Sequence, residues 1–472
     1  MNTECTTGRL EFHPHFRRQV TGAFDGGTIT SDAGGLLLRE VERRMGVIAS
    51  FARCFTDYRD PRWVEHSVET LVAQRVYGLA LGYEDLNDHD ELRRDPLLAV
   101  LVGKADCEGK ERARGRDRGK GLAGKSTLNR LELATPEEAA GHRYKRIAVD
   151  ERRAADLFVD VFLSAHLEPP QEIILDLDAT DDPLHGQQEG RFFHGYYMNY
   201  CYLPLYIFCG DFLLCAKLRP SNIDVSAGAV DEVARIVEGI RAQWPEVKIT
   251  LRGDSGFCRE ALMGWCEANG VDYVFGLAKN TRLIDAIEPE LETARRLFEE
   301  TGHATRLFKD FSYRTRQSWS RARRVIGKAE HLLKGSNPRF IVTSFSAEAY
   351  DSQTLYEKIY CARGEMENRI KEQQLYLFAD RTSAATMRAN QIRLWFASLG
   401  YTLLQLLRHL ALAGTRMARA QCHTIRLKLL KIGAQVRITA RRIWVSMAGG
   451  CPYADLLTTV LARLGQSPPL RC

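Results

Sequence analysis

EIILDLDATDDPLHG, residues 172–186, sets a short apolar run (Ile173, Ile174, Leu175, Leu177) around two carboxylates, Asp176 and Asp178. It then breaks into a polar loop at Thr180, Asp181, Asp182 and Pro183. A run of this length bounded by turn residues reads as a buried strand. A carboxylate at the end of such a strand is costly unless it is paired or holds a cation. Asp176 and Asp178 share parity, so both project from one face. Either can be the chemically active acid, and Asp176 can instead pair with a nearby Arg.

Downstream, the texture alternates between strands and helices. Tyr200–Cys209 and Phe212–Leu218 are apolar runs separated by Gly210-Asp211, and an amphipathic helix fits Ala227 to Trp244. Val247–Leu251 is the next strand, ending at Arg252-Gly253-Asp254-Ser255-Gly256-Phe257, and a helix around Arg259–Ala268 leads to strand Val271–Leu277. Three strands in hairpin order, then helix, strand, helix, strand, is the order of an RNase H-like α/β domain. In that sheet Asp178 and Asp254 end neighbouring strands. Residues 280–350 intervene with strand-like runs rich in Arg and aromatics (Ala304–Tyr313, Trp319–Ile326, Arg339–Ser344), read as a β-rich insertion. Tyr356 to Phe378 is then strongly helical and carries Tyr360, Arg363, Glu365, Glu367 and Lys371.

Upstream, residues 1–165 are mostly helical, with helices expected at Leu36–Val47, Val68–Leu81 and up to His166, and an N-terminal helix signature at Thr135-Pro136-Glu137-Glu138. Gly119, Gly124, Lys125 and Ser126 fit the phosphate-binding pattern GxxxxGK[ST]. That motif needs a buried strand leading in; here the lead-in is the charged loop Glu108–Lys120, so a Gly-rich turn is expected and no nucleotide cofactor. The C-terminal part opens on an apolar helix, Gln391 to about Ala413, interrupted by Arg408 and His409 and therefore read as core rather than a membrane span. Arg426–Lys431 and a strand pair, Gln435–Thr439 and Arg442–Met447, follow.

At 472 residues, 45% hydrophobic and 27% charged, the chain has an ordinary globular composition. Its net charge of +6 is modest, but Arg381–Tyr453 holds 12 Lys or Arg and no Asp or Glu. Such a strip suits a polyanion such as nucleic acid. The 12 cysteines form no CxxC pair and the start, MNTECTTGRLEF, has no apolar leader, so reduced thiols in a cytoplasmic protein are expected.

Two-metal phosphoryl transfer requires carboxylates from separate elements converging on two ions about 3.5–4 Å apart. Two Asp and one Glu, with no His or Cys, suit Mg²⁺, and Asp178, Asp254 and Glu367 supply that set. Each also has a structural reading: Asp254 as a helix cap, Arg363 as an ion-pair partner of a neighbouring Glu, Tyr360 as a core aromatic. Glu365 is expected to face solvent. His185, His194 and the aromatic run Phe192–Tyr197 follow the first Asp strand and could contact DNA, but stay outside the expected site.

These motifs resemble the DDE transposases of bacterial insertion sequences, in the branch marked by a Tyr-x₂-Arg-x₃-Glu-x₆-Lys signature. Tyr360, Arg363 and Glu367 match its first three positions; Asp178-Ala179-Thr180 resembles the first Asp motif and Asp254-Ser255-Gly256-Phe257 the second. The 113 residues from Asp254 to Glu367 accommodate the β-strand insertion of such enzymes. The resemblance covers roughly 171–412. It departs at the Lys position, which falls on Gln374; Lys371, one turn after Glu367, is expected to serve instead.

The resemblance implies Asp178, Asp254 and Glu367 as catalytic metal ligands and Tyr360, Arg363 and Lys371 as DNA contacts. It implies Mg²⁺, for which Mn²⁺ can substitute. Partners would be double-stranded DNA, at inverted-repeat ends and target, and a second subunit on DNA, with no membrane. The protein would be cytoplasmic and nucleoid-associated when bound. The chain would divide into a helical, DNA-binding region (1–165), the first part of an RNase H-like core (166–279), the β-rich insertion (280–350), the last part of the core with the Glu helix (351–412) and a basic region (413–472). The expected activity is cut-and-paste transposition; a nuclease of the same fold without strand transfer, or an inactive DNA-binding relic, are the alternatives.

Overall fold

The computed structural model describes residues 8–466. Eight strands form the central sheet: β1 (Glu172–Ala179), β2 (Leu205–Cys209), β3 (Phe212–Lys217), β4 (Lys248–Gly253), β5 (Asp272–Leu277), β6 (Arg306–Tyr313), β7 (Arg323–Leu332) and β8 (Arg339–Thr343). Their order is β3-β2-β1-β4-β5-β8-β7-β6, and a two-residue strand, Gly335–Ser336, adds to β7. β1, β4 and β5 are mutually parallel, and every other pairing is antiparallel. The parallel strands are joined by helices α1 (Ala229–Gln243) and α2 (Glu260–Ala268), since parallel neighbours need a crossover.

Strand alternation divides the sheet into two packed faces. Ile173, Leu175 and Leu177 of β1 and Leu251 of β4 are buried in one core with Val233, Ile236 and Ile240 of α1. Val274, Ile326 and Ile341 face the other way, under Leu355 and Tyr356 of the segment that leads to Glu367. Asp176 and Asp178 therefore lie on the same side as the Glu-bearing helix, α3 (Gly364–Leu377).

Two expectations change in detail. The run Tyr200–Cys209 is not one strand: it splits into Asn199–Tyr202 and β2, around Leu203-Pro204. Proline has no N–H for a ladder. The segment 280–350 opens with helices at Thr281–Ala286 and Glu288–Thr301, and its strands do not form a separate body. β8 pairs with β5 from Leu277↔Phe340 to Val274↔Thr343, so the insertion extends the central sheet and covers its edge.

The terminal regions converge. Helix α4 (Met387–Leu407) is buried along most of its length and packs against Leu36–Met45, Val68–Leu81, α3 and β3. Among the described residues no helix is long and apolar enough to cross a membrane. Ala434–Ile438 pairs on one side with Ile443–Met447 and on the other with Ile29–Thr30, joining the chain's two ends in one three-stranded sheet. The helix expected at Val68–Leu81 is present, capped by Ser67 and ended by Gly82 in the left-handed region (φ 96°). The Thr135–Glu138 signature forms a reciprocal capping box. The ten described cysteines are free thiols; Cys5 and Cys472, with the other residues before Gly8 and after Gln466, lie outside the described residues.

This convergence revises the basic strip. Arg381 pairs with Glu84 and Asp85, Arg388 with Glu151, Arg393 with Glu132, Arg408 with Glu372, Arg416 with Asp455 and Lys431 with Asp32. Arg426 is buried and donates to the carbonyls of Leu79, Ala80 and Tyr376. Half of the strip's twelve cations thus neutralise acids of other segments. Arg419 and Lys428 stay outward, as does a group on the Ala434–Met447 hairpin, where Arg437, Arg441 and Arg442 are exposed and Arg437 and Arg442 flank Trp444.

The GxxxxGK[ST] match has no strand leading into it and opens a helix of four residues, Lys125–Leu128. Lys125 is held by Asn87 and Asp90.

Candidate active site

The register of β1 against β4 organises the site. Asp176 lies opposite Arg252 and Leu177 opposite Gly253, so the next residues, Asp178 and Asp254, leave adjacent parallel strands side by side at their carboxyl ends. That is where open α/β sheets place their ligands. α3 brings Glu367 to the same place. Arg363, one turn before it, spans the gap, with one guanidinium nitrogen 3.5 Å from Asp178 Oδ2 and the other 3.2 Å from Glu367 Oε1.

Each carboxylate is positioned differently. Asp178 also accepts from the Ala179 N–H. Burial pushes its carboxyl up to about 6; Arg363 opposes this, while Asp254 and Glu367 reinforce it. Asp254 accepts from the Gly256 N–H in the turn after β4. Glu367 is half exposed on its helix. Tyr360 is largely enclosed, with burial and the Asp254 charge both raising its hydroxyl and Arg363 lowering it. Lys371 is exposed one turn beyond Glu367.

Asp176 is structural. Arg252 grips both its oxygens, at 2.5 and 2.7 Å, and both side chains are nearly inaccessible. The third Arg252 contact is the Ile359 carbonyl, in the turn just before Tyr360. One guanidinium thereby ties β1, β4 and the approach to the Glu helix together. An Arg inside an apolar strand was the available signal, because Arg is rarely buried without a partner.

That approach is irregularly wound: Leu355–Tyr360 is a π-turn and Cys361–Arg363 a 3₁₀-turn before α3 begins. Gly276 of β5 is required beneath it. A Cβ there would come within 2.6 Å of Tyr360 Oη and 2.9 Å of the Ser255 N–H, so any side chain would push apart the Asp254 turn and Tyr360.

Gln374, at the signature Lys position, turns inward. Its Nε2 donates to the Asp181 carbonyl and to Asp182 Oδ1, 3.1 and 3.0 Å away. Asp182 is fully buried, and burial pushes its carboxyl up to about 8, with Gln374 pulling the other way. The folded state favours the protonated acid. Its contribution to stability is therefore complete below the ordinary value of 3.8 and is lost as the pH rises through about 8. The melting temperature is expected to decline across this window more in the parent protein than in Asp182→Asn. Parallel profiles would rule the buried acid out as the cause.

The three site carboxylates face a single guanidinium, and their hard oxygens are the donor type for Mg²⁺ or Mn²⁺. As arranged they do not form a closed ligand set: among the described residues no group of three or more His, Cys, Asp or Glu converges closely enough to hold a metal. Arg363 occupies the bridging position between Asp178 and Glu367 instead.

No curated protein matches the chain. A family match does exist, to transposase DDE domain group 1, over residues 12–469. It reaches well beyond the 171–412 span of the sequence resemblance and takes in both terminal regions that pack around α4. On this nearly end-to-end match, the chain belongs to the transposase DDE domain group 1 family, whose members act on DNA in transposition and recombination.

Proposed function

We propose that the protein is a cut-and-paste DNA transposase, built on an RNase H-like core, that binds the inverted-repeat ends of its own element and carries the Tyr-Arg-Glu part of the branch signature. The observation that supports this most directly is the β1/β4 register, which sets Asp178 beside Asp254, with Glu367 linked to Asp178 through Arg363. Asp178, Asp254 and Glu367 would hold the divalent metal, Mg²⁺ by donor chemistry, once Arg363 swings from the carboxylates to a DNA phosphate it can grip bidentately. When bound, the metal supplies activation of the attacking oxygen and stabilisation of the leaving one. Tyr360 would line the scissile phosphate and Lys371 would neutralise phosphate further along the helix. Hydrolysis at the element's end and attack of the freed 3′-hydroxyl on target DNA are both in-line transfers, so one site serves both.

The terminal regions, residues 8–165 and 413–466, would carry the end-binding surface, with Arg437 and Arg442 on Trp444, and exposed Arg441 beside them in sequence, as its clearest cationic group. Two copies would meet on paired ends. The protein would act in the bacterial cytoplasm, at the nucleoid.

The test uses purified protein and a supercoiled plasmid carrying the element's ends, with Mg²⁺, with Mn²⁺ and with EDTA. Metal-dependent excision with joined products is the expected result. Excised but never joined DNA would replace the proposal with a nuclease. Binding without cutting under any metal would replace it with an inactive relic.

A further inference from the structure

Between β1 and β2 the chain leaves the sheet for residues 180–204 and builds a small three-stranded sheet of its own, from Asp182–Pro183, Phe192–His194 and Asn199–Tyr202. Its base is firmly held. Tyr202 Oη donates to the Glu189 carbonyl, Ser221 Oγ to the Phe192 carbonyl and Asn199 Nδ2 to Asp181 Oδ2, while Glu189 N donates to the Ala385 carbonyl. Its tip is the opposite. Tyr196 is 84% exposed, Met198 72% and Phe193 52%, and Phe192 and Tyr200 are also exposed. Met198 sits at φ 54°, a left-handed conformation that costs a non-glycine residue. A clustered apolar surface of this kind on a rigid base marks an interaction site.

The surroundings narrow the partner. Tyr197 Oη reaches the Ala179 carbonyl, next to Asp178, so the tip adjoins the carboxylates. Arg191 stacks on Tyr200 at 3.5 Å from the ring centroid. From Gly190 to Cys209 there is no Asp or Glu. Exposed aromatic faces beside an arginine, on a segment that itself carries no acid, suit a nucleic-acid base, because every base has a π-face and the backbone is anionic. Inside a duplex both faces of a base are covered by its stacked neighbours, whereas an unpaired base can leave the stack and offer one.

We propose that the Phe192–Tyr200 hairpin binds an unpaired nucleotide of the DNA end, stacking its base on Tyr196 and Phe193 beside the carboxylate site. This rests on the transposase reading and adds to it a requirement for local unpairing at the end being processed.

The experiment measures binding of the full-length protein, by anisotropy, to a blunt 30-bp duplex and to the same duplex with a three-nucleotide unpaired 3′ extension containing 2-aminopurine. The extended DNA is expected to bind about tenfold more tightly, in line with stacking of one base, and the 2-aminopurine signal to be quenched. Tyr196→Ala and Phe193→Ala should erase both the preference and the quenching, while Tyr196→Phe, which keeps the ring, retains them. Tyr196 lies outside the packed core, so its loss leaves the fold intact, which thermal melting verifies. Equal binding of the two DNAs by the parent protein, or an undiminished preference in both Ala variants, overturns the hairpin's role and leaves the transposase reading standing. A preference kept while the variants lose a dimer in sedimentation assigns the face to a second copy and overturns it as well. Failure to bind either DNA removes both readings.

Discussion

Replacing Glu367 by Ala is expected to lower DNA cleavage by about 10³-fold or more while end binding persists, and Asp254→Ala and Asp178→Ala should behave alike. The expected size follows from the role. A carboxylate that holds the ion neutralising charge in the transition state contributes several kcal/mol there, and each 1.4 kcal/mol is about tenfold in rate. Because such an interaction is made in the transition state, its loss appears in kcat rather than in binding. The three substitutions differ in what they leave behind. Asp178→Ala removes a buried carboxylate that burial already holds near a pKa of about 6, so the fold should tolerate it. Glu367→Ala releases one arm of Arg363, which keeps its contact with Asp178. Single-turnover cleavage of end DNA with Mg²⁺, alongside a binding titration, separates the two readouts. Parent-level cutting by any one variant takes that residue out of the site.

Arg252→Ala carries the largest expected effect on stability. Its guanidinium is the bidentate partner of Asp176, and both side chains are buried. Removing one member of a buried pair strands the other charge, which typically costs about 3–5 kcal/mol. Burial already raises the Asp176 carboxyl above its ordinary range with Arg252 in place; without it the acid would have to take up a proton to remain inside. The substitution also frees the Ile359 carbonyl and with it the approach to Tyr360 and Glu367, so cleavage should fall together with stability. Urea unfolding measures the first effect. The double replacement Asp176→Leu/Arg252→Met should recover much of the lost stability, since apolar groups of similar size often replace a buried pair without loss. Recovery of stability without recovery of cleavage would assign Arg252 a positioning role at the Ile359 turn. If Arg252→Ala melts like the parent, the pair contributes little and this account of β1 and β4 is wrong.

The central sheet was legible in the sequence because its strands are short apolar runs bounded by turn residues. EIILDLDA needs no partner to declare itself extended, and the order of runs after it already placed Asp178 and Asp254 on neighbouring strands. The Tyr360–Glu367 spacing was equally local, since eight consecutive residues carry it, although the structure divides them among a π-turn, a 3₁₀-turn and α3. The core helix at Val68–Leu81 was also expected from the sequence, though its cap by Ser67 and its end at Gly82 were seen only in the structure.

Other features depended on residues far apart in the chain. Asp176 and Asp178 have the same parity and similar neighbours, and only the β1/β4 register, which sets Arg252 across from Asp176, locks one in a buried pair and leaves the other at the strand end, facing Arg363. The strip from Arg381 to Tyr453 looked like one basic surface because its counter-charges lie elsewhere in the sequence, at Asp32, Glu84, Glu132 and Glu151. Gln374 read as a missing lysine until the fold brought Asp182 against it. Local backbone preference and burial period are properties of a few consecutive residues, so the sequence by itself determined most of the strands and helices and named the candidate carboxylates. Which charge meets which is settled by long-range packing and strand register, and only the tertiary structure could decide it.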